Sequence, residues 1–318
     1  MALTRVRPWI TDFAARWMFI ALAAFVSAFG MRAMGVSVAM DTLWPQLELV
    51  VALIGIAVAY ATLGRNVLRL ARPAAVASDF LLSAAQVAAL IAAILPLTYL
   101  SAAPAFPLLD ATFARLDLLL FGFKWNIASH WVAAHPMLDT VLQAAYFSIL
   151  YQCVAVLLLG SVSEPENRNS DFIWSAGVSM ILTCIAFVFA PALGTIGHTG
   201  SGPVELSMAI RSGRWTVLDN AHSEGIVAFP SFHTTLAILF VWAVRKHRWT
   251  LLVFVPLNLL VIAATPTVGG HHLVDLIGGA AVAAASISVT HALGGLLRSR
   301  NRAIQTPVRL SSPRHVEA

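Results

Sequence analysis

The chain consists of long apolar runs separated by short polar segments. Eight runs approach or reach the length of roughly 20 residues that crosses a bilayer as a helix. The predicted spans are residues 13–31, 47–64, 79–101, 137–160, 172–192, 231–246, 250–267 and 271–296. The sixth is the shortest, and a turn of a few residues joins it to the seventh. This pattern predicts an all-α fold, a polytopic membrane helix bundle with about eight transmembrane helices.

Composition supports a membrane protein over a soluble enzyme. Of the 318 residues, 59% are hydrophobic and only 11% are charged, whereas soluble domains carry about 25% charged residues. The net charge of +5 sits in short loops and the C-terminal tail, without a basic stripe of interleaved aromatics, so we expect anionic lipid and no nucleic acid as partner. Cys153 and Cys184 lie inside apolar runs, which indicates neither a disulfide nor a thiolate metal site.

Lysine and arginine in the short loops predict the orientation of the bundle. Basic groups lie at the N-terminus, in loop 65–78, at Arg245–Arg248 and in the tail after Leu297. With eight spans, all four groups face one side, the cytoplasm. The opposite, outer side then receives loops 32–46, 102–136 and 193–230 and the turn 268–270.

A segment within the second outer loop has apolar residues at helical spacing. Phe106–Trp125 (FPLLDATFARLDLLLFGFKW) also carries Asp110, Arg115, Asp117 and Lys124. Two interpretations remain open from the sequence. The segment is an amphipathic helix in the membrane interface, or it is a lid packed on the outer ends of the spans.

The chemistry-bearing residues cluster at the starts of the sixth and eighth spans. His271 and Asp275 are four residues apart and share a helix face, whereas His272 would point about 100° away. Ionisable groups in a membrane helix are costly and suggest function. Pro230, Ser231 and His233 open the sixth span, which the predicted topology places on the same outer side.

Two neighbouring helix N-termini would attract an anion through free N–H groups and the helix dipole. One histidine could attack a phosphate while the other protonates the leaving oxygen. The carboxylate of Asp275 would fix the tautomer of the attacking imidazole. Proline and serine at a helix start are equally well explained by capping alone.

The stretches AFPSFHT and GGHHLVDLIGG resemble the second and third motifs of the type 2 phosphatidic acid phosphatase (PAP2) superfamily. The residues of both motifs are most similar to those of the branch that contains inositol phosphorylceramide synthases and their bacterial relatives. The resemblance covers Gly225–Ala285. It implies that His271 is a nucleophile that forms a phosphohistidine, that Asp275 orients it, that His233 is the general acid, and that the Ser231 hydroxyl binds phosphate.

The family fold is a six-helix membrane core without a metal or cofactor. The resemblance therefore predicts two extra N-terminal helices with their cytoplasmic loop in residues 1–78. The six-helix core would be residues 79–297, and a basic, disordered cytoplasmic tail would be residues 298–318. It also implies a lipid phosphate substrate and a bacterial plasma membrane, with the site facing the exterior.

The sequence departs from the family pattern at several positions. Thr265 stands where the family has an arginine, and Phe232 stands where it has a glycine. RNVLRLARP, residues 65–73, is close to the first family motif, but the predicted topology places it on the cytoplasmic side. Arg211 and Arg214 in the third outer loop are the alternative candidates for a phosphate clamp, because arginine binds phosphate in a bidentate manner.

We therefore expect a lipid phosphatase that hydrolyses a phosphomonoester or diphosphate lipid at the outer face. The main alternative is a phosphotransferase that moves an inositol phosphate-like headgroup onto a lipid hydroxyl through the same intermediate. A metal-dependent hydrolase would instead use His233, His271, His272 and Asp275 as ligands, and a transporter would use His271 and Asp275 as a proton relay.

For His272 we expect a headgroup contact. Asp219, His222 and Glu224 are interpreted as loop or headgroup contacts. The lipid, the acceptor and the oligomeric state stay open.

Overall fold

A computed structural model describes residues 8–67, 70–122, 125–163, 168–195, 202–219 and 225–305. These residues form an all-α bundle, as predicted, with one pair of very short strands. In chain order the elements are α1 (Pro8–Ala33), β1 (Ser37–Val38), α2 (Met40–Asn66), α3 (Ala71–Leu100), α4 (Asp110–Phe121), α5 (Trp125–Ala133), α6 (Pro136–Phe147), α7 (Ile149–Ser163), α8 (Arg168–Phe189), α9 (Gly202–Arg211), β2 (Val217–Leu218), α10 (Phe232–Val244), α11 (Arg248–Val268) and α12 (Leu273–Gln305).

Each predicted span corresponds to a helix or a helix pair. Among the described residues, six helices are long and apolar enough to cross a membrane, namely α1, α2, α3, α8, α11 and α12. The fourth predicted span is the pair α6 and α7, which are bent by 46° at the break between them. The sixth is α10, whose 13 residues extend for about 20 Å. The chain is an integral membrane protein.

The ends of several predicted segments need correction. Helix α3 begins at Ala71, so most of the predicted loop 65–78 is helical, with Pro73 in the first turn where proline is well tolerated. Helix α12 continues to Gln305, into the first eight residues of the predicted tail. Residues 1–7 and 306–318, including Arg5, Arg7 and the end of the tail, lie outside the described residues.

The predicted outer loops meet at one end of the bundle. Strand β1 from loop 32–46 pairs in parallel with β2 from loop 193–230, in the register Ser37 with Val217 and Val38 with Leu218. A buried apolar cluster beneath them contains Tyr99 and Phe187 from the ends of α3 and α8, together with Ile210 and Trp215 of the third loop. This shared end confirms that the loops lie on one side of the bundle.

Helix α4 packs on the outer ends of the spans, as the lid interpretation predicts. Phe113 and Asp117 are buried on its inner face, which packs at the start of α12. Leu118 and Leu119 on the opposite face are 44% and 79% exposed. The helix is thus a lid on the helix ends with an exposed apolar face.

Helices α10 and α12 approach one another very closely at their starts. A Cβ atom at Gly279 would collide with the carbonyl oxygen of Ser231, and one at Gly278 would lie 2.6 Å from Cε2 of Phe229. The Thr235 hydroxyl donates across the same contact to the carbonyl of Gly279, at 2.9 Å. Gly278 and Gly279 therefore allow the two helix starts to lie side by side.

Candidate active site

The start of α10 is held by Ser231. Its hydroxyl oxygen accepts the backbone N–H of Thr234 at 3.3 Å, and its own N–H donates to the carbonyl of Asp275 at 3.0 Å. The residue is fully buried. Ser231 therefore caps α10 and ties it to α12, and its predicted contact with phosphate remains a prediction.

His271 lies in the turn between α11 and α12, and this turn, residues 269–272, is called the histidine turn below. The buried His271 ring donates from Nδ1 to Oδ2 of Asp275 at 3.3 Å. The same carboxylate oxygen accepts the N–H of His272 at 2.8 Å. A carboxylate at Nδ1 selects the tautomer in which Nε2 of His271 keeps its lone pair. The arrangement is the one that a nucleophilic imidazole requires.

His233 is accompanied by Tyr146 of α6, which the sequence did not single out. The two rings stack with centroids 3.9 Å apart and planes 14° apart, and the tyrosine hydroxyl lies 3.2 Å from Nδ1 of His233. A Cβ at Gly269 would lie 2.7 Å from that hydroxyl, so the histidine turn also packs on Tyr146. A tyrosine in an apolar run is a weak signal, and its partner is 87 positions away.

A cavity of about 440 Å³ connects these groups, with His233, His271 and Tyr146 on its wall. This is within the usual size of small-molecule sites, roughly 300–1,000 Å³. Most of the remaining lining is apolar and comes from α3, α8 and the outer loops, including Ile91, Leu95, Met180, Leu193, Ile226 and Val268. Thr183 on the wall has a buried hydroxyl that finds no hydrogen-bond partner in the part of the chain that the structure describes. The cavity is suited to an apolar molecule with few polar groups.

His272 is not a headgroup contact, which corrects the sequence-based expectation. The residue is 5% exposed. Its Nδ1 donates to Oδ2 of Asp117 at 3.3 Å, and its Nε2 lies 3.7 Å from Oδ1 of Asp110. Burial alone would lower the pKa of His272, but the carboxylates of Asp110, Asp275 and Asp117 together raise it above its ordinary value.

The start of α12 is not an open anion site, although the sequence suggested one at both helix starts. The N–H groups of Leu273 and Val274 donate to the carboxylate of Asp117 at 3.0 and 2.9 Å, and that of His272 donates to Asp275. At the start of α10, the N–H groups of Phe232 and His233 have no acceptor among the described residues. Of the two helix starts, only that of α10 therefore keeps N–H donors free of the described residues.

The two arginines predicted to clamp phosphate lie off the cavity wall. Arg211 donates from Nη2 to the carbonyl of Phe106 at 2.6 Å, and the exposed Arg214 donates from Nε to the hydroxyl of Ser212 at 3.0 Å. Thr265 is buried and bonds its own helix at Val261, so α11 adds no positive charge here. His222 and Glu224 lie outside the described residues.

Comparison with known proteins is consistent with this geometry. No three His, Cys, Asp or Glu side chains of the described residues are arranged to hold a metal ion. No curated protein and no solved structure matches the chain. A family model described as the PAP2 superfamily matches residues 111–289, which is more than half of the chain and includes α4, α6, α8 and the starts of α10 and α12. The chain therefore belongs to the PAP2 superfamily.

Proposed function

We propose that this protein is a lipid phosphatase that hydrolyses a phosphomonoester or diphosphate lipid through a phosphohistidine. The observation that carries the proposal is the wall of the cavity, which holds His233 and His271 at the starts of two adjacent helices, with His271 bonded to Asp275 behind the wall. Membership of the PAP2 superfamily supports the same reaction class. The basic loops at the opposite end favour a plasma membrane orientation with the site facing the exterior.

The proposed first step breaks the bond between phosphorus and the leaving oxygen. Nε2 of His271 attacks phosphorus while Asp275, bonded to Nδ1, stabilises the positive charge that develops on the ring and takes no proton itself. His233 gives its proton to the leaving oxygen. In the second step water attacks the phosphohistidine, His233 takes a proton from that water, and inorganic phosphate leaves.

The free donors at α10 give this reaction an anion site. The N–H groups of Phe232 and His233 and the positive end of the helix dipole would face the phosphate oxygens. Arg211 and Arg214 are proposed to add positive charge when a phosphate is bound. The apolar lining beside these donors supports a lipid substrate, because it would accept a hydrocarbon chain and no soluble sugar phosphate.

A phosphotransferase is the second candidate, and the character of the cavity favours it. A wall with Phe232 in the position of the family glycine and apolar side chains around it holds water poorly and would accept a lipid alcohol. The acceptor hydroxyl would then replace water in the second step. The similarity of AFPSFHT and GGHHLVDLIGG to the inositol phosphorylceramide synthase branch supports the same alternative.

The two candidates are separated by the fate of the phosphate. We would measure inorganic phosphate released by the full chain in lipid nanodiscs from long-chain lipid phosphates and diphosphates, with and without lipid alcohols, and with a short-chain phosphate ester as control. Release without acceptor supports the phosphatase. Transfer that needs a lipid alcohol supports the phosphotransferase. Activity lost on chelation, or no turnover of any lipid phosphate, would contradict both.

A further inference from the structure

The inner face of α4 makes a set of contacts with the histidine turn that the proposed reaction does not use. Asp117 accepts three hydrogen bonds, from the N–H groups of Leu273 and Val274 and from Nδ1 of His272. Asp117 is 2% exposed. One carboxylate on α4 thus satisfies the start of α12 and binds the residue next to His271.

Asp110, two turns earlier on α4, extends these contacts to the loop after α8. Its Oδ1 accepts the N–H groups of Leu193 and Gly194, both at 2.9 Å, and lies 3.7 Å from Nε2 of His272. The N–H of Thr195 in that loop donates to the carbonyl of Gly270 at 2.6 Å. The histidine turn is therefore fixed from α4 directly and through the loop 193–195.

The contacts matter for His271 because its own backbone lies outside the regular hydrogen bonding of the helices. Helix α12 begins only at Leu273, so the neighbouring carboxylates add to the few backbone hydrogen bonds that hold the turn. Asp275 fixes the rotation of the His271 ring and accepts the backbone N–H of His272. Asp117 holds the backbone just after the turn, at Leu273 and Val274. Displacement of a reacting group by about 1 Å can cost about 100-fold in rate.

We propose that Asp117, together with His272 and Asp110, forms a clamp that positions the His271 imidazole for attack, so that α4 acts as a positioning element of the active site. The inference rests on the proposed function, because it assigns a purpose to the placement of His271. It makes Asp117 and His272 positioning residues, since neither lines the cavity and both act through the histidine turn.

The test compares Asp117→Asn with Arg115→Gln in the full chain in nanodiscs. An asparagine of the same size keeps at most part of the acceptor capacity and turns one N–H toward the donors of α12. Arg115 is exposed on the same helix two positions away, so it controls for changes to α4 itself. We would measure kcat, KM and the hydrogen–deuterium exchange of peptides that contain residues 269–275.

For Asp117→Asn we expect kcat to fall by about 100-fold, KM to change by less than about twofold, and exchange in the 269–275 peptides to rise. Arg115→Gln should match the wild type in all three. If Asp117→Asn does not fold, His272→Asn leaves the capping of α12 in place and should lower kcat by a smaller factor with the same unchanged KM.

Faster exchange with an unchanged kcat would overturn the positioning role and leave Asp117 as a helix cap only. Unchanged exchange would overturn the clamp itself. If the wild type turns over no lipid phosphate, the proposed function fails. In that case exchange that stays slow in Asp117→Asn refutes the clamp, and faster exchange confirms the clamp without the reaction.

Discussion

Two carboxylates at opposite ends of the same bundle are each surrounded by polar groups, but with different chemistry. Asp79, near the start of α3, accepts a hydrogen bond from Ser161 at 2.6 Å and one from Asn169 at 3.4 Å. Asp275, near the start of α12, accepts from the imidazole of His271. Hydroxyl and amide groups do not change protonation state near neutral pH, whereas imidazole can accept and release a proton there. The first carboxylate therefore joins helices, and the second can support catalysis.

The two carboxylates also differ in the residues that surround them. Asn169 donates to oxygen atoms on α3 and α7, including Ser83 and Ser161, so the Asp79 cluster ties three helices together. The Asp275 cluster borders the cavity that His271 and His233 line. Asp79 also lines a cavity, of about 460 Å³, so the difference between the two carboxylates lies in the chemistry of their hydrogen-bond partners.

Removing the imidazole of His271 should give the largest effect. In His271→Asn the amide nitrogen can still donate to Asp275, so the fold should persist, but the nucleophile is lost. We expect kcat to fall by at least about 10³-fold with an unchanged melting temperature, measured on the same purified sample. His291→Asn, an exposed histidine of α12, is the matched control. Turnover of His271→Asn near the wild-type rate would place the nucleophile elsewhere.

Breaking the Asp79 cluster should have the opposite outcome. Asn169→Ala leaves the acceptors on Asp79, Ser83 and Ser161 without their shared donor, which should cost about 2–3 kcal/mol of stability. The melting temperature should fall, while kcat per folded molecule stays the same. The control is Thr62→Ala, whose exposed hydroxyl bonds only its own helix. A fall in kcat without a fall in melting temperature would remove the contrast between the two clusters.

A smaller effect is expected at Tyr146, which sharpens the role of His233. Tyr146→Phe keeps the stacked ring and removes the hydroxyl 3.2 Å from Nδ1 of His233, so orientation of the general acid is weakened and not abolished. We expect kcat to fall by about tenfold, below the 10²–10⁴-fold that loss of a general acid costs. Tyr151→Phe, exposed on α7, should show no change. Equal losses in both variants would argue against the contact.

The smallest effect concerns pH and His272. Because the carboxylates around it raise its pKa above 6.5 in the folded protein, the protonated ring contributes stability that is complete below the unfolded value. This contribution is lost as pH rises through the higher folded value. As pH rises from the unfolded to the folded pKa of His272, the melting temperature of the wild type should therefore decline more than that of His272→Gln. Identical pH profiles for the two proteins would contradict the paired, buried state of His272.

Sequence periodicity predicted the parts of the site that are local. The spacing of four between His271 and Asp275 predicted their contact, although His271 lies in the turn before the helix. Counting spans placed His233 at the same end. The same reasoning failed for His272, because it assumed a helix that begins only at Leu273. A residue in the turn before a helix does not follow the 100° rotation of helical positions.

The partners that came from distant segments could not be predicted. Asp117 lies 155 positions from His272, and Tyr146 lies 87 positions from His233. Their contacts depend on how α4 and α6 pack, which hydrophobic periodicity does not specify. The fold, in contrast, could be predicted from the sequence, because the length of each apolar run largely determines a membrane helix.

The central claim is that phosphate is carried on His271, and it is tested most directly by trapping the intermediate. The full chain in nanodiscs would be mixed with a ³²P-labelled lipid phosphate, quenched during turnover under alkaline conditions and mapped by peptide analysis. We predict an acid-labile label on the peptide that contains His271, present in the wild type and absent from His271→Asn. A label on another residue, or turnover of substrate with no label at any quench time, would contradict the account.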